Sequence, residues 1–314
     1  MVVLEKIVPS MFPDIYQSFL AGDDPYSTEA DWRRLFFYGW AGEDDHYGYA
    51  LVDAGSVVGV LGMVFSERQV DGDTRRFCNL HTWHVKEAYR GRSLALMRPA
   101  MALRNHVLTD FSSTERVRAI SKRLGFTELE CTLKILLPAR QRDSRGAAEV
   151  CVEPEGFEDS LSPADLRLYR DHKDLGCGHL LLTDNKQYCY VIYSLVSRRW
   201  LPYCYLHYVS NREMFARHSV RLRNELTRRT KARYVAVDAR RVAGLRLPLS
   251  FTFPVRCHQL VRDSRLNPAQ IDTLYSEVLI LNLCTFPDLT HKLRQFVRRF
   301  GLGAWVGSDT GMAN

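Results

Sequence analysis

Apolar positions along the first 137 residues change period repeatedly, and each change marks an element. Residues 2–8 alternate as a short strand. Met11, Ile15 and Phe19 recur at helical spacing behind Pro9-Ser10, which predicts a helix over 11–20. Trp32, Leu35, Phe36 and Phe37 share the inner side of a second helix over 28–38. Strands are expected at 46–52, 56–66 and 77–85, punctuated by the turn formers Asp53-Ala54-Gly55 and Val70-Asp71-Gly72-Asp73. A helix over 93–106, a strand over 107–111, a helix over 114–124 and a strand over 126–137 complete this half. Antiparallel strands followed by strand–helix–strand–helix–strand define a mixed, mostly antiparallel α/β sheet flanked by helices.

The order then recurs. Residues 139–150 combine arginines, Gly146 and alanines with little apolar content and read as a linker. Beyond them a helix is expected at 161–172, opened by Ser162-Pro163, with strands at 179–183, 188–197 and 201–209. A long helix over 214–230 and a strand over 234–238 follow, and two terminal helices are expected near 269–283 and 289–300. Gly301-Leu302-Gly303 would stop the last one. The chain therefore divides into a unit over 1–138, a linker over 139–150 and a second unit over 151–314.

Composition narrows the class. The 314 residues are 46% hydrophobic and 25% charged, an ordinary globular mixture that excludes wholesale disorder. No apolar run reaches the ~18–20 residues of a membrane span. Glu5 and Lys6 interrupt the only apolar run near the N-terminus, which points to a soluble, cytoplasmic chain. The eight cysteines show no CxxC and sit between apolar or aromatic neighbours, as reduced, packed thiols do; no metal site is expected. A net charge of +7 suits an anionic partner such as nucleic acid or coenzyme A. Its dispersal argues against nucleic acid, and the arginine-rich stretch over 214–230 has no interleaved stacking aromatics.

The chemistry concentrates in Leu80-His81-Thr82-Trp83-His84-Val85-Lys86-Glu87-Ala88-Tyr89-Arg90-Gly91-Arg92-Ser93-Leu94-Ala95. A strand ends at Val85 and a helix opens near Arg92. Unpaired amides and partial positive charge at a helix start suit a phosphate. Gly91, Ser93 and Ala95 keep the approach small, and Arg90 and Arg92 add charge-assisted hydrogen bonds. The same pattern also fits a plain strand–turn–helix link with solvated arginines.

This stretch resembles motif A of the GNAT acyltransferase superfamily, Arg/Gln-x-x-Gly-x-Gly/Ala. Arg90 stands at its first position and Ala95 at its last, with Ser93 replacing the middle glycine. Residues 114–126, ending Leu124-Gly125-Phe126, look like the family's following helix. The resemblance covers 2–137 and implies a GNAT-type sheet with acetyl-CoA or a longer acyl-CoA in a wedge between two splayed strands. Its pyrophosphate would lie on Arg90, Gly91, Arg92, Ser93, Leu94 and Ala95, and its pantetheine against the backbone of Trp83 and Val85. Thr114 stands where relatives keep an asparagine, and Ser121 where many keep a proton-donating tyrosine. Pro99 falls inside the phosphate-binding helix, where it deletes one backbone hydrogen bond.

The resemblance implies direct acyl transfer to an amine or hydroxyl, on a small molecule or a protein. For the proton acceptor, His81 is the first candidate: strand alternation puts it on the face of Val85, and its ordinary pKa is ~6.5. A half-buried structural histidine is the plainer reading. His84 points the other way. Asp110, at the end of the next strand, is a second candidate, and Ser121 takes the place of the acid. The second unit has Ser210-Asn211-Arg212-Glu213-Met214 where a phosphate turn would be, without glycine, and reads as a degenerate GNAT-like unit framing the acceptor or a homodimer surface. A binding protein that holds acyl-CoA without turnover is the alternative, and a nucleic-acid binder the third reading.

Overall fold

A computed structural model describes residues 1–42, 46–139, 149–151, 158–184, 187–197, 201–263 and 266–283. The first strands are β1 (Val3–Lys6), β2 (Gly48–Asp53), β3 (Ser56–Val70), β4 (Asp73–Val85) and β5 (His106–Asp110). After them come β6 (Thr127–Leu129), β7 (Thr132–Leu136), β8 (Glu149–Cys151), β9 (Gly178–Asp184) and β10 (Gln187–Val196). The last are β11 (Tyr203–Val209), β12 (Tyr234–Asp238), β13 (Ser250–Pro254) and β14 (Gln259–Arg262). Helices are α1 (Phe12–Ile15), α2 (Glu29–Phe36), α3 (Ser93–Ala102), α4 (Glu115–Arg123), α5 (Pro163–His172), α6 (Arg212–Thr230) and α7 (Glu277–Ile280). None among the described residues is long and apolar enough to cross a membrane.

Among the described residues these strands form two seven-stranded sheets, ordered β1-β2-β3-β4-β5-β14-β6 and β8-β9-β10-β11-β12-β7-β13. Each has one parallel pair, β4 with β5 and β11 with β12, and is otherwise antiparallel. The two orders correspond strand for strand, with a reciprocal exchange. The sixth strand of each sheet comes from the other half of the chain: β14 lies between β5 and β6, and β7 between β12 and β13. The strand expected over 126–137 is therefore two strands in different sheets. The boundary expected at 138 does not separate the sheets either, since β7 precedes it and β14 follows it.

Local chemistry explains most elements. Thr28 opens α2 with a capping box to Asp31, and Ser162 and Asn211 cap α5 and α6 through their side-chain oxygens. Helix α4 closes on Gly125 at φ +88°, where Phe126 N–H reaches Ser121 O at 3.1 Å and Gly125 N–H reaches Lys122 O at 3.2 Å. This paired closure needs the left-handed conformation that glycine adopts without strain. The β3–β4 hairpin turns at Asp71-Gly72 and is longer on both strands than expected, because alternation continues through polar Glu67 to Gln69. The helix expected over 11–20 begins as a 3-10 turn at Pro9–Met11 and widens to a π-turn over Tyr16–Leu20.

The helix expected over 269–283 is a 3-10 turn at Pro268–Gln270, an extended stretch and the single turn of α7. The helix expected over 289–300 lies outside the described residues. Segment 266–283 crosses the first sheet as a strap. Asp272 pairs with Arg68, both nearly buried, and the Arg68 guanidinium lies 4.5 Å from the Phe77 ring centroid. Leu274, Tyr275, Leu279, Ile280 and Leu281 enter one apolar cluster with Trp32, Phe36 and Val60 of the first half and Tyr169, Tyr190 and Ile192 of the second. The two sheets thus share a core, and the strap lies within it.

Candidate active site

Parallel pairing of β4 with β5 runs from Arg76–His106 to Asn79–Thr109 and stops. Beyond that point β4 continues to Val85 beside β3 while β5 ends at Asp110, so the strands part. The wedge opens into a cavity of about 560 Å³. Leu80 to Val85 lie along one side, Arg90, Ser93 and Met97 at the start of α3, and Ser112 to Ser121 on the α4 side. Asp23 and Asp24 line it from the loop before α2, and Glu277 from the strap.

A bulge sets which side chains face which way. Val60 and Gly62 of β3 pair with His84 and His81, so two residues on β3 oppose a three-residue step on β4. Thr82 takes up the extra residue at φ 53°, a conformation costing a β-branched residue about 1–3 kcal/mol. His81 and His84 consequently share a face, toward Phe36 and Phe19, while Val85 lies on the other with Trp83, against the α3 side. This corrects the expected shared face of His81 and Val85. Simple alternation fails because the bulge shifts it by one residue. Lys86 donates its N–H to Val58 O at 2.9 Å, so the N–H and C=O of Val85 point away from β3, toward the open edge of the wedge.

His81 is 4% exposed, and its ring packs on Gly62, where an added Cβ would stand 2.1 Å from Cε1. Its Nδ1 lies 2.9 Å from Thr82 Oγ1 and its Nε2 has no partner. Burial pushes its pKa down to about 3, so the expected titration near neutrality is corrected: the ring is neutral at pH 7. Asp110 moves the other way. Burial first, and then the like charge of Glu277, raise it to about 8, against the pull of hydrogen bonds from Ser112 N–H and Ser113. Glu277 is 2% exposed and is itself raised by burial. Asn79 Nδ2 donates to its Oε2, Thr109 Oγ1 donates to Asn79 Oδ1 at 3.0 Å, and hydrogen bonds from the Ser112 side chain and the nearby backbone pull against the rise. Trp83 Nε1 is also buried without a partner. His81 Nε2 and Trp83 Nε1, both without a partner, thus line one cavity, at a cost of about 1–3 kcal/mol each unless a ligand satisfies them.

At the helix start, Arg90 sits in a 3-10 turn over Glu87–Arg92 and pairs with Glu87 at 3.1 Å, half exposed. Gly91, Arg92 and Leu94 are exposed, and Ser93 and Ala95 partly so. The first turn of α3 carries no acidic residue and no side-chain cap. Thr114 is the N-cap of α4, its Oγ1 accepting from Val117 N–H, and Ser121 is buried against the cavity. The residues fit a coenzyme A thioester: basic side chains at an uncapped helix start, an open strand edge and unpartnered polar atoms further in. Among the described residues the second sheet lacks this arrangement. Asn211 fills the start of α6 with its own cap, and Asp238, which ends β12 as Asp110 ends β5, is held by Arg240. In α6, Arg223 is buried and Arg228 and Arg229 pair with Glu225, so the helix does not present one free basic stripe.

Glu277 was not read from the sequence. Its one signal is position: a glutamate opening Val278-Leu279-Ile280-Leu281 is a charge in the most apolar stretch of the chain. No protein-family model matches the chain, and no curated protein does. Solved structures do. A GCN5-related N-acetyltransferase from Anabaena variabilis superposes with a TM-score of 0.55 at 11% identity, over 83% of this chain and 72% of that one. Another from Kribbella flavida gives 0.55 at 15% identity, over 83% and 70%. The fold is that of the GCN5-related N-acetyltransferases.

Proposed function

We propose that the protein is an acyl-CoA-dependent acyltransferase, moving an acetyl or longer acyl group directly to an amine or hydroxyl of a small-molecule or protein acceptor. The observation that carries this reading is the parting of β4 from β5 in front of the basic start of α3. When bound, the thioester supplies the activated acyl carbonyl. Arg90 and Arg92 hold its phosphates against the first turn of α3, where Gly91, Ser93, Leu94 and Ala95 leave the approach open. The outward backbone of Val85, with Trp83, aligns the pantetheine as an added strand would. Thr114 fixes the start of α4, and Ser121 stands where the departing thiolate needs a proton. Asp110 is the proton acceptor in this scheme in its ionised form, which the folded protein populates only toward about pH 8, whereas the buried His81 ring is too weak a base to take the proton. The first sheet, completed by β14 from the second half of the chain, would bind the thioester, and the rest of the second half would frame the acceptor. Ser121 favours one other reading, binding without turnover, because a serine hydroxyl is a poor acid.

A thermal-shift panel of coenzyme A, acetyl-CoA and longer acyl-CoAs tests this, since a ligand that binds only the folded state raises the melting temperature. Stabilisation that Arg90→Ala with Arg92→Ala reduces supports the site. Stabilisation unchanged by both substitutions would remove it. Release of thiol on adding acceptors separates transfer from binding alone.

A further inference from the structure

Among the described residues the chain passes between its two sheets at one waist. Strands β1 to β6 with β14 make up the first sheet and β7 to β13 the second, so the chain crosses between β6 and β7 and returns between β13 and β14. Each crossing carries a cysteine, Cys131 on the way out and Cys257 on the way back. Continuing the β6–β14 register inward from Leu129–Gln259 brings Cys131 opposite Cys257, and from the other side Val255 N–H donates to Cys131 O at 3.0 Å. Opposed residues of antiparallel strands stand about 4.5–5.5 Å apart at Cα, inside the ~4.4–6.8 Å that a disulfide spans. The two side chains already touch, the Cys257 thiol donating to the Cys131 sulfur. Both are partly exposed and line a surface groove of about 690 Å³.

Electrostatics separate this pair from Cys177, Cys189 and Cys204. The hydrogen bond from Cys257 lowers the Cys131 pKa first, and the Gln259 N–H and the Arg240 guanidinium add to it, against burial and the charge of Asp238. Arg240 is held by Asp238 and by Gln259 Oε1 at 2.7 Å, while its Nη1 is buried without a partner. The hydrogen bond to Cys131, and then burial, raise Cys257. Burial drives Cys177 up to about 12 and Cys189 and Cys204 up to about 11, which keeps those thiols protonated.

We propose that Cys131 and Cys257 are a peroxide-sensitive dithiol, closing reversibly to a disulfide that fastens the two crossings and encloses the second sheet in a covalent loop. The Cys131 thiolate attacks hydrogen peroxide: a sulfur–oxygen bond forms, the oxygen–oxygen bond breaks, and the departing hydroxide takes the proton that the thiol gave up. Cys257 then attacks the sulfenic sulfur. The sulfur–sulfur bond forms, the sulfur–oxygen bond breaks, and hydroxide leaves as water with the Cys257 proton. Two thiols and one peroxide thus give one disulfide and two waters, the thiols losing the two electrons that the peroxide gains. A dithiol reductant reverses the closure by exchange. The bond also bears on the wedge, because His258 O accepts from Ser113 Oγ at 3.0 Å and Leu260 pairs with Asp110. The dithiol is independent of the acyltransferase reading.

The test treats the reduced full chain with hydrogen peroxide, blocks the remaining thiols by alkylation and maps disulfides by mass spectrometry after proteolysis. Expected is the Cys131–Cys257 disulfide as the main product, with the melting temperature raised by about 5 °C or more and restored by dithiothreitol. Hydrogen exchange over 127–131 and 255–262 slows in the oxidised form. Cys257→Ser, with Cys257→Ala as a second variant, stops at the sulfenic acid: dimedone labels Cys131, and the melting temperature does not rise. Cys131→Ser gives neither a dimedone adduct nor a disulfide at Cys257. Absence of this disulfide from the treated wild type while other cysteines oxidise overturns the inference, as does a disulfide that forms only after unfolding in urea. An oxidised protein that melts where the reduced one does overturns it too, because the bond then fastens nothing.

Discussion

Asp110→Asn isolates the buried carboxyl pair most cleanly. The substitution keeps side-chain shape and an oxygen for the Ser112 N–H, but removes the titrating proton. In the native protein this carboxyl is raised from 3.8 to about 8. Between those values the folded state holds a proton that the unfolded chain releases, so stability falls as pH rises, by at most ~1.4 kcal/mol per pH unit. The stability linked to this proton is fully present below about pH 4 and fully lost above about pH 8. Over the whole window the loss is roughly 5–6 kcal/mol, and about 4 kcal/mol of it falls above pH 5. Glu277 shares in it through the coupling of the two groups. The amide introduced by Asp110→Asn does not titrate, so wild-type stability minus variant stability should drop by several kcal/mol between about pH 5 and pH 9. Urea unfolding at fixed ionic strength, read by tryptophan fluorescence, measures that difference. A difference constant to within about 1 kcal/mol would refute the reasoning, because a solvated Asp110 carries no such linkage.

Four further outcomes follow from the same geometry. His81→Ala should leave the shape of the turnover profile between about pH 6 and pH 8 unchanged, since the ring is already neutral there; a flattened profile would restore His81 as the titrating base. Wild-type stability linked to that ring should hold above its ordinary pKa near 6.5 and decline toward about 3, because below 6.5 the unfolded chain binds the proton more readily. Gly62→Ala places a methyl group where the His81 ring now sits, and should cost about 1–3 kcal/mol in urea unfolding; a neutral result would mean that the ring moves aside freely. Asp272→Ala leaves Arg68 buried beside Phe77 without its counter-ion and should cost about 3–5 kcal/mol, with increased hydrogen exchange across 266–283. Unchanged exchange there would show that the pair does not hold the strap.

The first sheet was largely legible because its hairpins alternate cleanly and its helices carry their own caps and stops, such as Thr28, Thr114 and Gly125. What the sequence hid was non-local. The exchange of β7 and β14 depends on which sheet edge each short strand meets, and nothing within Thr132–Leu136 or Gln259–Arg262 specifies that edge. The bulge at Thr82 was invisible for a different reason: a β-branched residue in a left-handed conformation runs against local preference, so period counting passed over it and put His81 on the wrong face. The strap was misread because its apolar residues recur at near-helical spacing, although they pack against two different halves of the chain. The proposed phosphate turn is contiguous in the sequence and could be singled out there, whereas Glu277 reaches Asn79 across 198 residues of sequence.

Co-crystallisation with coenzyme A tests the central claim most directly. The account predicts the diphosphate against the amides that begin α3, between Arg90 and Arg92, with the pantetheine chain along β4 and hydrogen-bonded to the backbone of Val85. Coenzyme A bound elsewhere, with the gap between β4 and β5 left to solvent, would contradict it.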